Sequence, residues 1–577
     1  MPLAKEIPFS TGLFRRFFTG RHASAAPRPG RTAVVMCAAL GVAVAGLIAV
    51  PAAVASQAGR ASPASVARAA SAAHAPQLLV HTADGSLKGT VSQGVREFFG
   101  VPYAAPPVYD LRFAPPQPVQ PWTGVRSATV QGPACIQFQI SGVKNNQATS
   151  EDCLYLDIYT PRNARPGDKL PVVFWMHGGG NTQGTGVIYG GQRFASLTNS
   201  IFVSINYRLG AYGWLALPQL AASGLGPGNY GLLDQIAALK WVRDNIAAFG
   251  GNARNITIDG QSAGAEAVCD LLASPLAAGM FQRGILESGP CNSITPLSLS
   301  AGEALSEKFA AAAGCGNSSA VVSCLRGTQP VSLAVNAWTP NLVAAAQKYV
   351  LNSPVYGTPV LPRPPEQAIL SGHWNKVPLI IGGVRDENKL FNIAQADLTA
   401  AQYTAEIQSQ YGANAAAVLA HYPVSDYPKP FYALSAVGTD SGFACHSYWL
   451  ANQTASQVPT WQEEFNDPTS PTLFGFQPPG IDMSNAHSAE LAYLWNFTLG
   501  DRPLTTIELL LGEQMDRYWG AFAHTANPNA PGLTGWPRVT TGTHPVIDFR
   551  PTGNTVSTTV FPTEHQCSFW ATIEPQT

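Results

Sequence analysis

NITIDGQSAGAEAVCDLLAS, residues 255–274, is the stretch that decides the fold. An alternating run, Ile256-Thr257-Ile258, meets Gly260-Gln261-Ser262-Ala263-Gly264 and passes at once into a helical pattern from Ala265. That order reads as strand, sharp turn, helix. A serine at such a turn is lifted off the end of the strand, and glycines two residues to either side keep Cβ atoms out of crowded backbone. Ser262 is therefore the candidate nucleophile. The helix that follows points its first N–H groups back at the turn, where a developing oxyanion can use them. Alone, a G-x-S-x-G string arises by chance in roughly one chain in three of this length and glycine content, so the flanking sequence has to decide.

Upstream, Pro171 to Met176 is a short continuous apolar run, as a strand buried on both faces requires, and it ends in His177-Gly178-Gly179-Gly180. Glycines there let backbone N–H groups come close to a ligand, which makes this the expected second half of an oxyanion hole. Ile201 to Tyr207 reads as the next strand and Gly231 to Phe249 as a helix, with Leu232, Ile236, Leu239, Val242 and Ile246 at helical spacing. Gly284 to Ser288 and Pro378 to Gly382 read as later strands, and Leu78 to Val80 with the Gly85–Gly94 region as a first β-hairpin. Strands alternating with helices predict a mostly parallel sheet.

Composition narrows the class. Apolar residues make up 46% and charged ones 12%, about half the usual charged share, so a large core is affordable and a disordered chain is excluded. Residues 1–55 hold six Lys/Arg and one Glu; removing them takes the balance from 34 basic against 35 acidic to 28 against 34, a net −6. No basic surplus remains to hold nucleic acid.

The same N-terminal residues predict export. Arg15, Arg16, Arg21, Arg28 and Arg31 precede an apolar run from Ala33 to Val54, and Ala53-Val54-Ala55 fits small-x-small cleavage before Ser56. Residues 1–55 are thus expected to be a signal peptide, 56–76, rich in Ala, Ser, Arg and Pro, a disordered linker, and 77–577 the folded domain. The alternative is an uncleaved membrane anchor, since the run is about as long as a span. Arg15-Arg16-Phe17-Phe18 also fits twin-arginine export in part. Eight cysteines follow the leader, an even number for an oxidising compartment. Of 105 pairings, sequence separation favours Cys135–Cys153, Cys269–Cys291 and Cys315–Cys324, which leaves Cys445–Cys567; buried free thiols are the alternative.

Several stretches together resemble the type-B carboxylesterase and cholinesterase family: FFGVPYA (98–104), EDCLYLDIYTP (151–161), HGGG (177–180), SINYRLGAYGWLA (204–216), GNYGLLDQIAALKWVRDNIAAFGG (228–251), the Ser262 turn and MDRYWGAFAHTANPN (515–529). The likeness runs from about Gln77 to the C-terminus. It implies an α/β-hydrolase fold, with a large, mostly parallel central sheet, helices on both faces and long insertions. By the same resemblance Gly382-Gly383-Val384-Arg385-Asp386-Glu387-Asn388 is the acid loop, with Glu387 as the acid and Asp386 as its fallback, and Asn485-Ala486-His487-Ser488-Ala489-Glu490-Leu491 carries the base, His487. Ser262, Glu387, His487 is the chain order of this fold. Backbone N–H groups of Gly179, Gly180 and Ala263 are the implied oxyanion hole, and His177 the competing histidine, with a role in shaping the loop. The resemblance implies a secreted serine hydrolase cleaving small-molecule or lipid esters, a carboxylesterase or lipase, without metal or organic cofactor. A non-catalytic adhesion protein on the same scaffold is the alternative.

Three positions depart from the family pattern: Gln261 where glutamate is usual, Asn181 where an aromatic is common, and Asn388 where glycine is frequent. In cholinesterases the loop closed by the first disulfide carries a tryptophan for a quaternary ammonium; here Ile136 to Asp152 has none, so choline esters are not expected. Ile136, Phe138 and Ile140 are expected to pack onto the body, a movable lid being the other reading.

Overall fold

In a computed structural model of the chain, residues 76–573 are described apart from 138–147, 317–319, 328–331, 334–347, 474, 476 and 498–499. The expected signal peptide and, Pro76 apart, the expected linker lie outside the described residues, as do Phe138 and Ile140.

The central sheet has eleven strands: β1 (Thr90–Ser92), β2 (Val95–Pro102), β3 (Tyr155–Pro161), β4 (Leu170–Met176), β5 (Ile201–Ile205), β6 (Gly251–Gln261), β7 (Arg283–Glu287), β8 (Leu379–Val384), β9 (Thr460–Phe465), β10 (Val546–Phe549) and β11 (Thr555–Ser557). Their spatial order is 11-10-9-8-7-6-4-5-3-2-1. Strands β4 to β10 run parallel, and antiparallel strands finish both edges. The order matters for function. After β4 the chain first adds β5 on one side and then β6 on the other, so the loops leaving β4 and β6 part company at a switch point. Crevices at the carboxyl ends of strands at such a point are where open α/β sheets bind ligands.

Every residue of β4 is buried. Side chains alternate along a strand, so Val172, Phe174 and Met176 join one core layer while Val173 and Trp175 join the other. Helices α1 (Tyr230–Asn245) and α2 (Ala263–Ala273) close the first layer with Leu232, Leu239, Val268 and Leu271. Helix α4 (Thr506–Thr525) closes the second with Met515, Tyr518, Trp519 and Phe522. Between them in sequence, α3 (Cys445–Ala455) packs behind β8 and β9, and α5 (Cys567–Ile573) ends the described chain. The buried Arg208 guanidinium grips both oxygens of Asp234 at 2.7 Å, tying the loop after β5 to α1.

One expectation is corrected in its extent. The expected first hairpin is present, Leu79–His81 pairing with Ser86–Lys88 in a small outer sheet, but the rest of the Gly85–Gly94 region leaves it: β1 pairs with β2 in the central sheet. Gly89 is the crossing point, where a Cβ would lie 2.3 Å from the Glu97 carbonyl oxygen. The helix begins at Ala263 rather than Ala265, and α1 ends at Asn245, giving way to a 3₁₀ turn over Ile246–Phe249.

Candidate active site

Strand β6 delivers Ser262 into a backbone conformation that most residues avoid, φ 58° and ψ −125°. The turn tolerates it because its neighbours are glycines. A Cβ on Gly260 would sit 2.4 Å from Gly264, and one on Gly264 would sit 2.0 Å from the Met176 carbonyl oxygen at the end of β4. The Ser262 N–H donates to the Glu287 carbonyl at 2.8 Å and its own carbonyl accepts from Glu266 N–H at 3.0 Å, so the turn is pinned to β7 and α2. Ser262 itself remains half-buried.

The glycine loop after β4 lies directly against this turn: a Cβ on Gly178 would be 2.9 Å from that of Ser262. Its peptides are oriented by where their carbonyls go. The Gly178 carbonyl accepts from His177 Nδ1 at 2.8 Å, and that of Gly179 accepts from the N–H groups of Thr182 and Gln183, both at 3.1 Å. In a planar trans peptide the N–H points opposite its C=O. The N–H groups of Gly179 and Gly180 therefore turn away from the loop's interior, and neither finds an acceptor among the described residues. Ala263 N–H, first in α2, is likewise without an intrahelical acceptor. His177 is stacked on Tyr207 at 4.5 Å, and burial lowers its pKa to about 4, so it stays neutral and shapes the loop.

Glu387 follows β8 and is buried. One of its oxygens accepts from Val384 N–H at 3.0 Å; the other receives His487 Nδ1 at 2.5 Å, and its carbonyl accepts from His487 N–H at 3.3 Å. Asp386 instead turns outward to Lys389 at 3.0 Å. With Nδ1–H committed to a carboxylate, His487 presents Nε2 as an acceptor. Phe391 and Phe443 flank the ring at 4.8 and 5.6 Å, and Gln261 Nε2 lies 3.3 Å from His487 Nε2.

The carboxylesterase family profile matches residues 76–570. The chain belongs to the carboxylesterase family. It is 33% identical over 507 residues to mouse carboxylesterase 1E, covering 80% of this chain and 88% of that one. Human cocaine esterase is 33% identical over 500 residues, 80% of this chain and 86% of its own. Among solved structures a thermophilic PNB esterase superposes with a TM-score of 0.72 at 29% identity, covering 85% of this chain and 99% of that chain. The protein is accordingly an α/β-hydrolase and a carboxylic ester hydrolase, which sets aside the adhesion-protein alternative.

This carboxylesterase also carries a feature that no local motif announced. Gln261, Glu287, Gly382 and Glu463 stand in register across β6, β7, β8 and β9. Asp259, two residues before Gln261, shares their face. Glu490, three residues past His487, joins them beside Gln261 and Ser288. All four carboxyls are buried. Among the described residues both oxygens of Asp259 and one each of Glu287 and Glu463 lack a hydrogen-bond partner, while Trp519 Nε1 donates to Glu287 at 2.8 Å. Burial raises the pKa values of all four, Glu490 to about 8 and the others well above the usual carboxylate range; the charges of Asp259 and Glu490 add to the effect on Glu287, that of Glu490 to the effect on Glu463, and that of Glu387 to the effect on Glu490. Gly382 makes the room, since a Cβ there would be 2.1 Å from Glu463 Oε1.

Around the site, Cys135–Cys153, Cys269–Cys291, Cys315–Cys324 and Cys445–Cys567 are bonded. The second links α2 to the segment after β7, bracing the serine turn. The last joins α3 to α5. Ile136 is buried in the core, and Gln137 beside it holds Gly184 through both amide atoms, at 2.7 and 2.8 Å. Among the described residues no three His, Cys, Asp or Glu side chains converge as a metal site would need.

Proposed function

We propose that this carboxylesterase works as a secreted serine hydrolase, in which Ser262, His487 and Glu387 form the catalytic triad and the ester passes through an acyl-enzyme. The observation that carries the reading is the buried 2.5 Å pairing of Glu387 with Nδ1 of His487, whose Nε2 lies beside Gln261, the neighbour of a serine in a strained turn. Ser262 Oγ attacks the ester carbonyl as His487 Nε2 takes its proton; the carbonyl oxygen becomes an oxyanion held by the N–H groups of Gly179, Gly180 and Ala263. The C–O bond to the alcohol breaks with the proton returned from His487. Water repeats the sequence on the acyl-enzyme and releases the acid. Glu387 keeps the imidazole in the needed tautomer and stabilises its charged form. Apo geometry at Nε2 is looser than in a substrate complex, and the Gln261 contact at 3.3 Å is the one that substrate entry exchanges for Ser262.

The substrate class is small carboxylic esters, with lipid esters as the extension to be tested. Export is supported by the basic–apolar–small pattern of residues 1–55 and by four disulfides, which fit an oxidising compartment. Among the described residues no helix is long and apolar enough to cross a membrane. The test is hydrolysis of p-nitrophenyl esters from acetate to palmitate by protein beginning at Ser56, beside Ser262→Ala. The triad reading expects at least a 10³-fold loss in kcat for the variant; a variant as active as the parent refutes it, and the chain-length profile separates esterase from lipase.

A further inference from the structure

Within the glycine loop, each carbonyl from His177 to Asn181 has a named partner, and the partners differ in kind. His177 accepts from the Tyr207 hydroxyl at 2.7 Å, Gly178 from its neighbouring imidazole, Gly179 from the turn's own Thr182 and Gln183, and Asn181 from Gly210 N–H at 2.8 Å. The Gly180 carbonyl is held from furthest along the chain. Its partner among the described residues is Asn352 Nδ2 at 3.1 Å, brought in from 172 residues away. Asn181 Nδ2 donates to the Asn352 carbonyl at 3.0 Å in return, so two asparagines clasp each other across the loop.

The held peptide is free to turn over without its clasp. Gly180 has φ 60° and no Cβ to resist rotation, and Asn181 sits at φ 56°, a left-handed conformation that costs energy for a residue with a side chain. A flip of the Gly180–Asn181 peptide changes φ of Asn181 by about half a turn and relaxes that strain. It also changes ψ of Gly180, and because a glycine resists neither torsion the disturbance passes to the Gly179–Gly180 peptide, which carries the Gly180 N–H. The segment bearing Asn352 is anchored independently: Asn229 accepts from Val355 N–H at 2.8 Å and donates back to the Val355 carbonyl at 2.8 Å. Asn352 therefore reaches the loop from a fixed base.

We infer that Asn352 is a positioning residue for the oxyanion hole: acting with Asn181 it holds the Gly180–Asn181 peptide and so fixes ψ of Gly180, whose N–H, on the peptide before it, faces the transition state. The inference rests on the serine-hydrolase reading above. Asn352 touches no reacting atom in this account. The departure from the family's aromatic at 181 acquires a reason: an asparagine there both accepts the left-handed backbone and supplies half of the clasp.

The test replaces Asn352 with leucine, nearly its shape without its hydrogen bonds, and with alanine as the second variant. It measures kcat and KM for p-nitrophenyl butyrate, the inhibition constant of an alkyl trifluoromethyl ketone and Tm. The ketone adds Ser262 Oγ to its carbonyl carbon, sends the serine proton to His487 and leaves an oxyanion in the hole, so it reads the hole without turnover. Removal of one donor from such a hole costs about 10²- to 10³-fold in kcat, and a donor left in place but misaligned is expected to cost about 10-fold. The expected result is kcat lowered about 10-fold, KM within about 2-fold, ketone affinity lowered by the same factor as kcat/KM, and a Tm within a few degrees. Unchanged ketone affinity in both variants overturns the inference, whether kcat falls or not. If instead the wild type neither hydrolyses the ester nor binds the ketone, the serine-hydrolase reading has failed, a result distinct from failure of the clasp.

Discussion

Glu490→Gln tests the buried carboxyl row by its pH signature. In the folded protein the Glu490 carboxyl is pushed up to about 8 from an ordinary 4.5, chiefly by burial and next by the negative charge of Glu387. A carboxyl raised in this way contributes stability that is fully present below about pH 4.5, where both states hold the proton, and that is lost as pH rises toward 8, where the unfolded chain gives it up and the native protein does not. The loss accrues at about 1.4 kcal/mol per pH unit and levels off near 5 kcal/mol above pH 8. Glutamine keeps the shape and cannot ionise. The variant's advantage in urea midpoint is therefore expected to be small at pH 4.5, to grow steadily to pH 8, and to stay flat beyond. A midpoint difference that is the same at pH 5 and pH 8.5 refutes the reasoning, because it means that Glu490 is ionised in the native state at neutral pH. A difference that shrinks with pH refutes it more strongly, since it requires a carboxylate stabilised by folding.

His565 behaves in the opposite sense to an ordinary buried histidine: Asp440 at 2.6 Å and Glu464 at 2.6 Å outweigh its burial and lift it to about 10. Its contribution is complete below about pH 6.5 and lost as pH climbs through 10, so His565→Gln is expected to be destabilised most at pH 6 and to converge on the parent by pH 10, read as Tm against pH. Gly264→Ala places a Cβ 2.0 Å from the Met176 carbonyl oxygen, where backbone and not a flexible side chain must yield. A loss of at least about 3 kcal/mol or of soluble protein is expected, measured by denaturation, and a fully active, equally stable variant would show that the β4–α2 approach is looser than described.

Backbone-dictated features were legible before any coordinates. Gly260 and Gly264 announced the serine turn because only a residue without Cβ fits between β6, α2 and β4, and a Cβ on Gly179 would likewise meet the Gln183 carbonyl oxygen at 2.2 Å. Glu387 and His487 were reached through long motifs on either side of late strands. Asp386, adjacent in sequence and alike in chemistry, was separated from Glu387 only by seeing that it faces Lys389. What stayed hidden depends on register. Asp259, Glu287, Glu463 and Glu490 fall in four unrelated segments, and nothing local says that β6 to β9 line them up; the sole hint was Gln261 in place of a glutamate, a charge missing where others had gathered. Asn352 carried no signal at all, being a lone asparagine 171 residues beyond its partner. The first hairpin was legible but not its end, because Gly85 and Gly94 bracket two turns and the crossing at Gly89 is set by the strand β2.

The strand order has a consequence for how the molecule is made. Gln261 and His487 meet across 226 residues, and Glu387 and His487 across 100. Closing such loops is slow and uphill until the strands between them have docked. A growing chain can lay down β4 to β7 and the serine turn while still attached to the ribosome, but the histidine arrives only after β9, and β10 and the Cys445–Cys567 bridge come later still. On the proposed triad, the serine is thus made well before the base that would activate it. If the proposed triad holds, a half-made enzyme is unable to attack the esters of the cell that produces it, and covalent capture by an active-serine probe counts only finished molecules.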